Sequence, residues 1–139
     1  MYYSRTIMER FQNPKNAGGM HGANAIGEVT KEGCTDITRL YLKIDDNGYI
    51  ENARFKTFGC CASIASADLT CDLVKGKTID EALRISNQEI LKVLGDMPEN
   101  KINCSIVAEE SIHSAVEDYY KRIEKEAKKA LKNVQKVSE

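Results

Sequence analysis

Five cysteines hold most of the chemistry available to this chain of 139 residues: Cys34, Cys60, Cys61, Cys71 and Cys104. An ionised thiol is a soft metal ligand and a nucleophile toward sulfur. Cys34 lies two residues before Asp36, so an extended backbone would point both side chains the same way. Cys60 follows Gly59 at the end of a β-favouring run, Ala53 to Phe58, and precedes a helix-like stretch of small residues. A thiol at such a turn meets free N–H groups and the positive end of a helix dipole, and both favour thiolate. Cys104 follows a loop and stands at the expected start of a helix. Cys34, Cys60 and Cys104 thus fall at the edges of regular elements, where side chains can converge. Three thiolates and a carboxylate would bind zinc tetrahedrally, or iron with sulfide completing the coordination. No CxxC pair favours either metal, and a buried cysteine often serves only as a small apolar residue. That plain role is kept for Cys71, deep inside its helix, and for Cys61, which shares a corner with Cys60 and should point elsewhere. His21 falls in a loop and His113 on the expected exposed side of a helix, so neither is placed to help.

The bulk properties narrow the field. The length predicts one domain over residues 1–139, and 42% hydrophobic residues suffice for a core. A net charge of -1 gives no general attraction to nucleic acid or membrane. No run of about 18 apolar residues offers a membrane span. Met1-Tyr2-Tyr3-Ser4-Arg5 shows no signal-peptide core, so a cytoplasmic, reducing compartment is expected. There, an odd number of cysteines points to metal or sulfur chemistry rather than a disulfide framework.

The elements that must position these thiols are legible. Residues 1–12 read as a short helix with Ile7, Met8 and Phe11 on its apolar side. Asn13-Pro14 and Gly18-Gly19 make a loop, mobile over residues 17–24. Ala25–Thr30, Ile37–Ile44 and Tyr49–Phe58 read as three strands. Asp45-Asp46-Asn47-Gly48 signals the hairpin between the last two. Ala62–Val74 reads as a helix with Ala65, Leu69 and Leu73 at spacing four. Thr78 to Glu81 and Ser86 to Glu89 match capping boxes that open two short helices. Asp96–Asn103 reads as a loop. A long helix follows from about Ser105, with Ile112, Ala115, Val116, Tyr119 and Ile123 as its stripe and a polar tail over about 125–139. The expected fold is α+β: a three-stranded antiparallel sheet with helices packed on one face and a long C-terminal helix.

Several stretches of the chain are specific: Asn13-Pro14-Lys15-Asn16, Gly33-Cys34-Thr35-Asp36, Ala53 to Cys60, Ala62-Ser63-Ile64-Ala65-Ser66, Val74-Lys75-Gly76-Lys77 and Lys101-Ile102-Asn103-Cys104-Ser105-Ile106. In this order they resemble the U-type iron–sulfur cluster assembly scaffold, over roughly residues 1 to 125. This is the stand-alone scaffold of the ISC system and the N-terminal domain of the nitrogen-fixation scaffold. The resemblance implies a carrier and platform, not an enzyme. A cysteine desulfurase would supply persulfide sulfur, and an electron donor such as ferredoxin would supply electrons. An iron-supplying or frataxin-like protein could deliver ferrous iron. A [2Fe–2S] cluster would form on Cys34, Asp36, Cys60 and Cys104 and pass to apo-proteins. Cys104 is the expected persulfide acceptor, for its helix-start position, with Cys60 second and Lys101 in an assisting role. Zinc could fill the site in the cluster-free form, and a zinc-dependent sulfur acceptor for a desulfurase is the alternative function. The resemblance leaves [4Fe–4S] open as well as [2Fe–2S], and monomer as well as homodimer.

Three departures from the family pattern matter. Asn103 stands where histidine usually precedes the third cysteine, and neutral Asn cannot replace imidazole. Asp36 is therefore the expected fourth ligand. Thr35 and Cys61 stand where glycines are usual, which crowds the site. Met97-Pro98-Glu99-Asn100-Lys101 keeps only Pro98 and Lys101 of the loop read by the dedicated Hsp70-type chaperone, which counts against that partner.

Overall fold

Alternating apolar residues pair in register to build the sheet. In the computed structural model, which describes residues 3–30 and 36–137, β1 (Ala25–Thr30), β2 (Ile37–Ile44) and β3 (Ile50–Phe58) form an antiparallel meander in the order β1-β2-β3. Gly27 sits opposite Leu40 and Leu40 opposite Phe55, while Ala25 faces Leu42 and Leu42 faces Ala53. This places Ala25, Leu40, Leu42, Ile44, Ala53 and Phe55 on one buried face. The other face carries Glu28, Arg39, Lys43 and Lys56, with a Glu28–Arg39 ion pair at 2.7 Å. Tyr41 lies on that same side, yet only 8% of it is accessible. Its neighbours in register, Ile26 and Arg54, flank it.

The turn between β2 and β3 takes positive φ only at Gly48, at +84°. The Asp45 side chain accepts hydrogen bonds from the Asn47 and Tyr49 amides. A longer loop closed by one left-handed glycine therefore replaces a tight Asn-Gly turn.

Among the described residues five α-helices accompany the sheet: α1 (Arg5–Gln12), α2 (Cys61–Val74), α3 (Ile79–Leu83), α4 (Asn87–Leu94) and α5 (Asn103–Val137). The α+β class and the long last helix agree with expectation. The Thr78–Glu81 capping box is complete, whereas Ser86 accepts from the Glu89 amide without a return bond from Glu89. In α1, Ile7 is fully buried but Phe11 is 40% exposed, so the apolar side is narrower than the sequence implied. On α5, Ile112, Ala115 and Val116 are buried while Ile123 is exposed.

Helix α2 departs most from expectation. Rather than one stripe, ten of its residues are buried, including Ala62, Ser63, Ser66, Ala67 and Thr70. The sheet lies on one side, and α1, α4 and α5 cover others. Small side chains let neighbours close on a helix from all directions. Its buried Asp68 anchors the chain before the sheet: Arg10 donates to it at 2.7 Å and the Asn16 amide at 2.9 Å. Asn16 and Gly18 then run along β3, exchanging backbone bonds with Phe55 at 3.0 and 2.8 Å. The start of the loop expected to be mobile is thus a short extension of the sheet.

One close approach fixes how α5 crosses the sheet. A Cβ at Gly27 would fall 2.4 Å from the Ala115 nitrogen and 2.6 Å from the Ser111 carbonyl oxygen. Both are backbone atoms, so nothing can move aside cheaply. Gly27→Ala is expected to lower the unfolding free energy by about 1–3 kcal/mol through overpacking. An unchanged urea midpoint for this variant would show that α5 does not pack this closely on β1.

Candidate metal centre

The end of β3, the start of β2 and the first turns of α2 and α5 meet at one end of the sheet. Ile37 and Phe58 are the last pair of the β2–β3 ladder. Asp36 immediately precedes that pair, and Gly59-Cys60 follows it. Gly59 is required there by proximity: a Cβ would lie 2.9 Å from Asp36 Cγ and 3.0 Å from the Ser63 Cβ. Without a side chain at position 59, the carboxylate can reach the mouth of α2.

Asp36, Cys60 and Cys104 offer one donor atom each within 4.8 Å of one another. The two sulfurs are 3.8 Å apart. Metal–sulfur bonds of about 2.3 Å at tetrahedral angles put two sulfurs about 3.8 Å apart. The spacing thus fits two ligands of one metal, and it is far too long for a disulfide. Cys34, expected to be the third thiolate, lies outside the described residues. His21 and His113 are exposed and take no part in this group.

The thiols differ sharply in character. Cys60 is the N-cap of α2, although its side chain makes no capping hydrogen bond. The hydrogen-bonding contact with Cys104 draws its pKa down to about 5 against the opposing effect of burial, and proximity to the first-turn amides of Ser63 and Ala62 adds to this. Cys104 is pushed well up, first because its proton is held against Cys60, then by burial and by the negative Asp36. A 3-10 turn, Glu99–Lys101, opens at Pro98 and runs into α5, with the Lys101 amide bonded to the Pro98 carbonyl and the Ser105 amide to that of Ile102. Cys104 is the second residue of α5, directly after that turn, at the helix start that the sequence predicts. Lys101 sits half-buried in that turn, and among the described residues its ammonium forms no ion pair. Asn103 is exposed.

The other two cysteines also separate. Cys71 is fully buried and burial pushes its thiol up, as suits a core residue. Cys61, half-buried, faces Tyr3. Burial, then the contact with Cys61, then the charges of Cys60 and Cys104 raise the Tyr3 phenol to about 12. Nothing in the sequence brought Tyr3 to the thiols. Ser63 was missed too, though a residue three positions after Cys60 on a helix must share its face.

An open depression of about 510 Å³, lined by Asp36, Ile37, Phe58 and Gly59, leads to the group. Phe58 is 81% exposed at its rim.

Comparison with known proteins decides the family. The NifU-like N terminal domain matches residues 2–126. The chain belongs to that family. It is 42% identical over 122 residues to the iron-sulfur cluster assembly scaffold protein IscU of Escherichia coli (strain K12), spanning 86% of this chain and 94% of that protein. It is 46% identical over 118 residues to the nitrogen fixation protein NifU of Azotobacter chroococcum mcd 1, spanning 84% of this chain but only 38% of that longer protein. A solved structure, the putative iron-sulfur cluster assembly scaffold protein for the SUF system of Fervidobacterium islandicum AW-1, shares the fold with a TM-score of 0.66. That likeness covers 81% of this chain and 95% of the other at 22% identity. The NifU-like protein (N-terminal) of Brucella abortus gives 0.65 over 85% and 94%, at 19% identity. These relatives are named as assembly scaffolds or as members of the same NifU type, which agrees with a platform rather than an enzyme. Among the described residues no helix of this NifU-like chain is long and apolar enough to cross a membrane.

The thiol assignment has a direct consequence for reactivity. An ordinary thiol with a pKa near 8.5 loses about tenfold in thiolate per pH unit below that value. Cys60, depressed to about 5, stays ionised from pH 8 down to about 6. Iodoacetamide labelling of metal-free protein, read by peptide mass spectrometry, should modify Cys60 first and with little change over this range. Labelling of Cys60 that falls tenfold per unit would contradict the assignment.

Proposed function

We propose that this chain is a platform on which an iron–sulfur cluster, [2Fe–2S], is assembled and from which it is handed on. The observation that carries the reading is the meeting of Cys60, Cys104 and Asp36 at metal-ligand spacing. Membership of a family whose curated members include named scaffolds supports it. Cys34, two residues before Asp36, supplies the third thiolate in this reading.

The sulfur arrives as persulfide from a cysteine desulfurase. Cys60 is favoured as the acceptor, because it lies at the mouth of α2 beside the open depression and holds the thiolate. It attacks the outer sulfur of the donor persulfide, a new S–S bond forms, and the desulfurase cysteine leaves as thiolate. Two electrons, from a donor such as ferredoxin, and one proton then convert the Cys60 persulfide to thiolate and hydrosulfide. Ferrous iron, the second substrate, is held by the same sulfurs and by Asp36. Lys101, in the turn before Cys104, assists in this reading. The cluster passes to apo-proteins in a reducing, cytoplasmic setting.

Asp36 gives the site its lability. A carboxylate is a harder partner than thiolate and matches the soft cluster less well. That suits a cargo that must leave. Anaerobic reconstitution with ferrous iron, a desulfurase and cysteine should yield a coloured protein with the Mössbauer spectrum of a [2Fe–2S] centre. Asp36→Ala should slow transfer to an apo-ferredoxin several-fold. A protein that stays colourless and retains one equivalent of zinc would overturn the scaffold reading in favour of sulfur acceptance. Transfer at the wild-type rate would remove Asp36 as the labile ligand.

A further inference from the structure

Ser63 has no role in the site as the sequence describes it, yet its hydroxyl touches all three donor groups. The residue is 5% exposed and sits on the first turn of a helix packed on nearly every side, so its Cβ position is set by the core. Its Oγ lies 2.9 Å from Asp36 Oδ2, 3.3 Å from Cys104 Sγ and 3.6 Å from Cys60 Sγ. A hydroxyl has one proton and two lone pairs. The carboxylate is the strongest acceptor of the three, because a hydrogen bond to an ionised oxygen is about twice as strong as one between neutral groups. The shortest of the three contacts is also to this acceptor, so the hydroxyl proton is directed to Asp36 Oδ2. This commits one carboxylate oxygen to Ser63 and leaves Oδ1 as the oxygen able to bind a metal.

We propose that Ser63 is a positioning residue that makes Asp36 a one-oxygen ligand. The inference rests on the reading that Asp36, Cys60 and Cys104 bind metal, and it deepens that reading. By pinning Oδ2, the hydroxyl fixes the carboxylate plane before metal arrives and keeps it from chelating through both oxygens. A two-oxygen carboxylate would raise the coordination number and hold the cargo in a different geometry. Hydrogen-bonding partners of this kind typically change metal affinity by about 10–100-fold when removed. The same hydroxyl fills the space between the carboxylate and the two thiols, so this is also the contact that keeps the three groups apart by a fixed distance.

The test is an anaerobic cobalt(II) titration of the full chain, followed by visible absorption. Four proteins are compared: wild type, Ser63→Ala, Asp36→Ala and the double variant. Wild type should show sulfur-to-cobalt charge transfer and the intense d–d bands of four-coordinate cobalt. Ser63→Ala keeps the Cβ and so leaves the packing of α2 intact. It should bind cobalt about tenfold more weakly, with the weaker d–d bands of a five-coordinate ion. Ser63→Thr, which retains a hydroxyl, should keep the four-coordinate spectrum and serves if the alanine variant folds poorly. In the Asp36→Ala background, removing the hydroxyl should change affinity less than twofold, since the residue it acts through is gone. A wild-type spectrum for Ser63→Ala, or a full tenfold loss in the Asp36→Ala background, would overturn the role of Ser63 while leaving the metal centre standing. Failure of the wild type to bind cobalt, or an Asp36→Ala protein with wild-type affinity and bands, would overturn both.

Discussion

The burial of helix α2 is the constraint on which the rest depends. Its small residues allow the sheet, α1, α4 and α5 to approach it closely, so the helix has no freedom to slide or turn. Its first residues, Cys60 to Ser63, are therefore fixed in space. Everything chemical in the molecule is arranged around that fixed end. Gly59 admits Asp36 from the strand side, and the backbone contact at Gly27 sets where α5 crosses the sheet. A site on loops alone would not hold two sulfurs at 3.8 Å without a bond or a metal between them.

The electrostatics follow from the crowding. Two thiols and a carboxylate in a half-buried corner cannot all carry charge, because like charges at this range disfavour one another. The group eases the conflict by sharing one proton between the sulfurs, which draws the Cys60 thiol down and pushes the Cys104 thiol up. A cation removes the need for that proton, so metal binding must release it. In the proposed reading, the same corner alternates between a single nucleophilic thiolate that receives sulfur and a multi-thiolate cradle that holds iron. Tyr3, raised to about 12 by burial and the nearby sulfurs, is a neutral phenol beside the metal-free group.

The strands were readable because alternation of apolar residues on Ile37–Ile44 and Ile50–Phe58 has a single physical cause, burial of one face. The ends of those strands, and hence the places of Asp36 and Cys60, followed from glycines and turn residues. What the sequence hid was distance between elements. Gly27 carries no side chain to reveal that a helix backbone rests on it. The all-round burial of α2 has no period to detect, since a helix buried on every side shows no stripe. Pro98 reads as a loop residue, and the structure adds a short 3-10 turn, Glu99–Lys101, directly after it. The family resemblance supplied the grouping of Cys34, Asp36, Cys60 and Cys104 more sharply than spacing could. The fold then brought three of those four together among the described residues, and it added Ser63, which neither spacing nor resemblance had given a role.

The central claim is that this end of the sheet is a sulfur-rich metal site completed by one carboxylate. X-ray absorption at the zinc edge of the full chain loaded with one equivalent of zinc measures this directly. The account predicts three sulfur neighbours at about 2.3 Å and one oxygen at about 2.0–2.2 Å. A shell with fewer than two sulfurs, or the ring scattering of a bound imidazole, would contradict it.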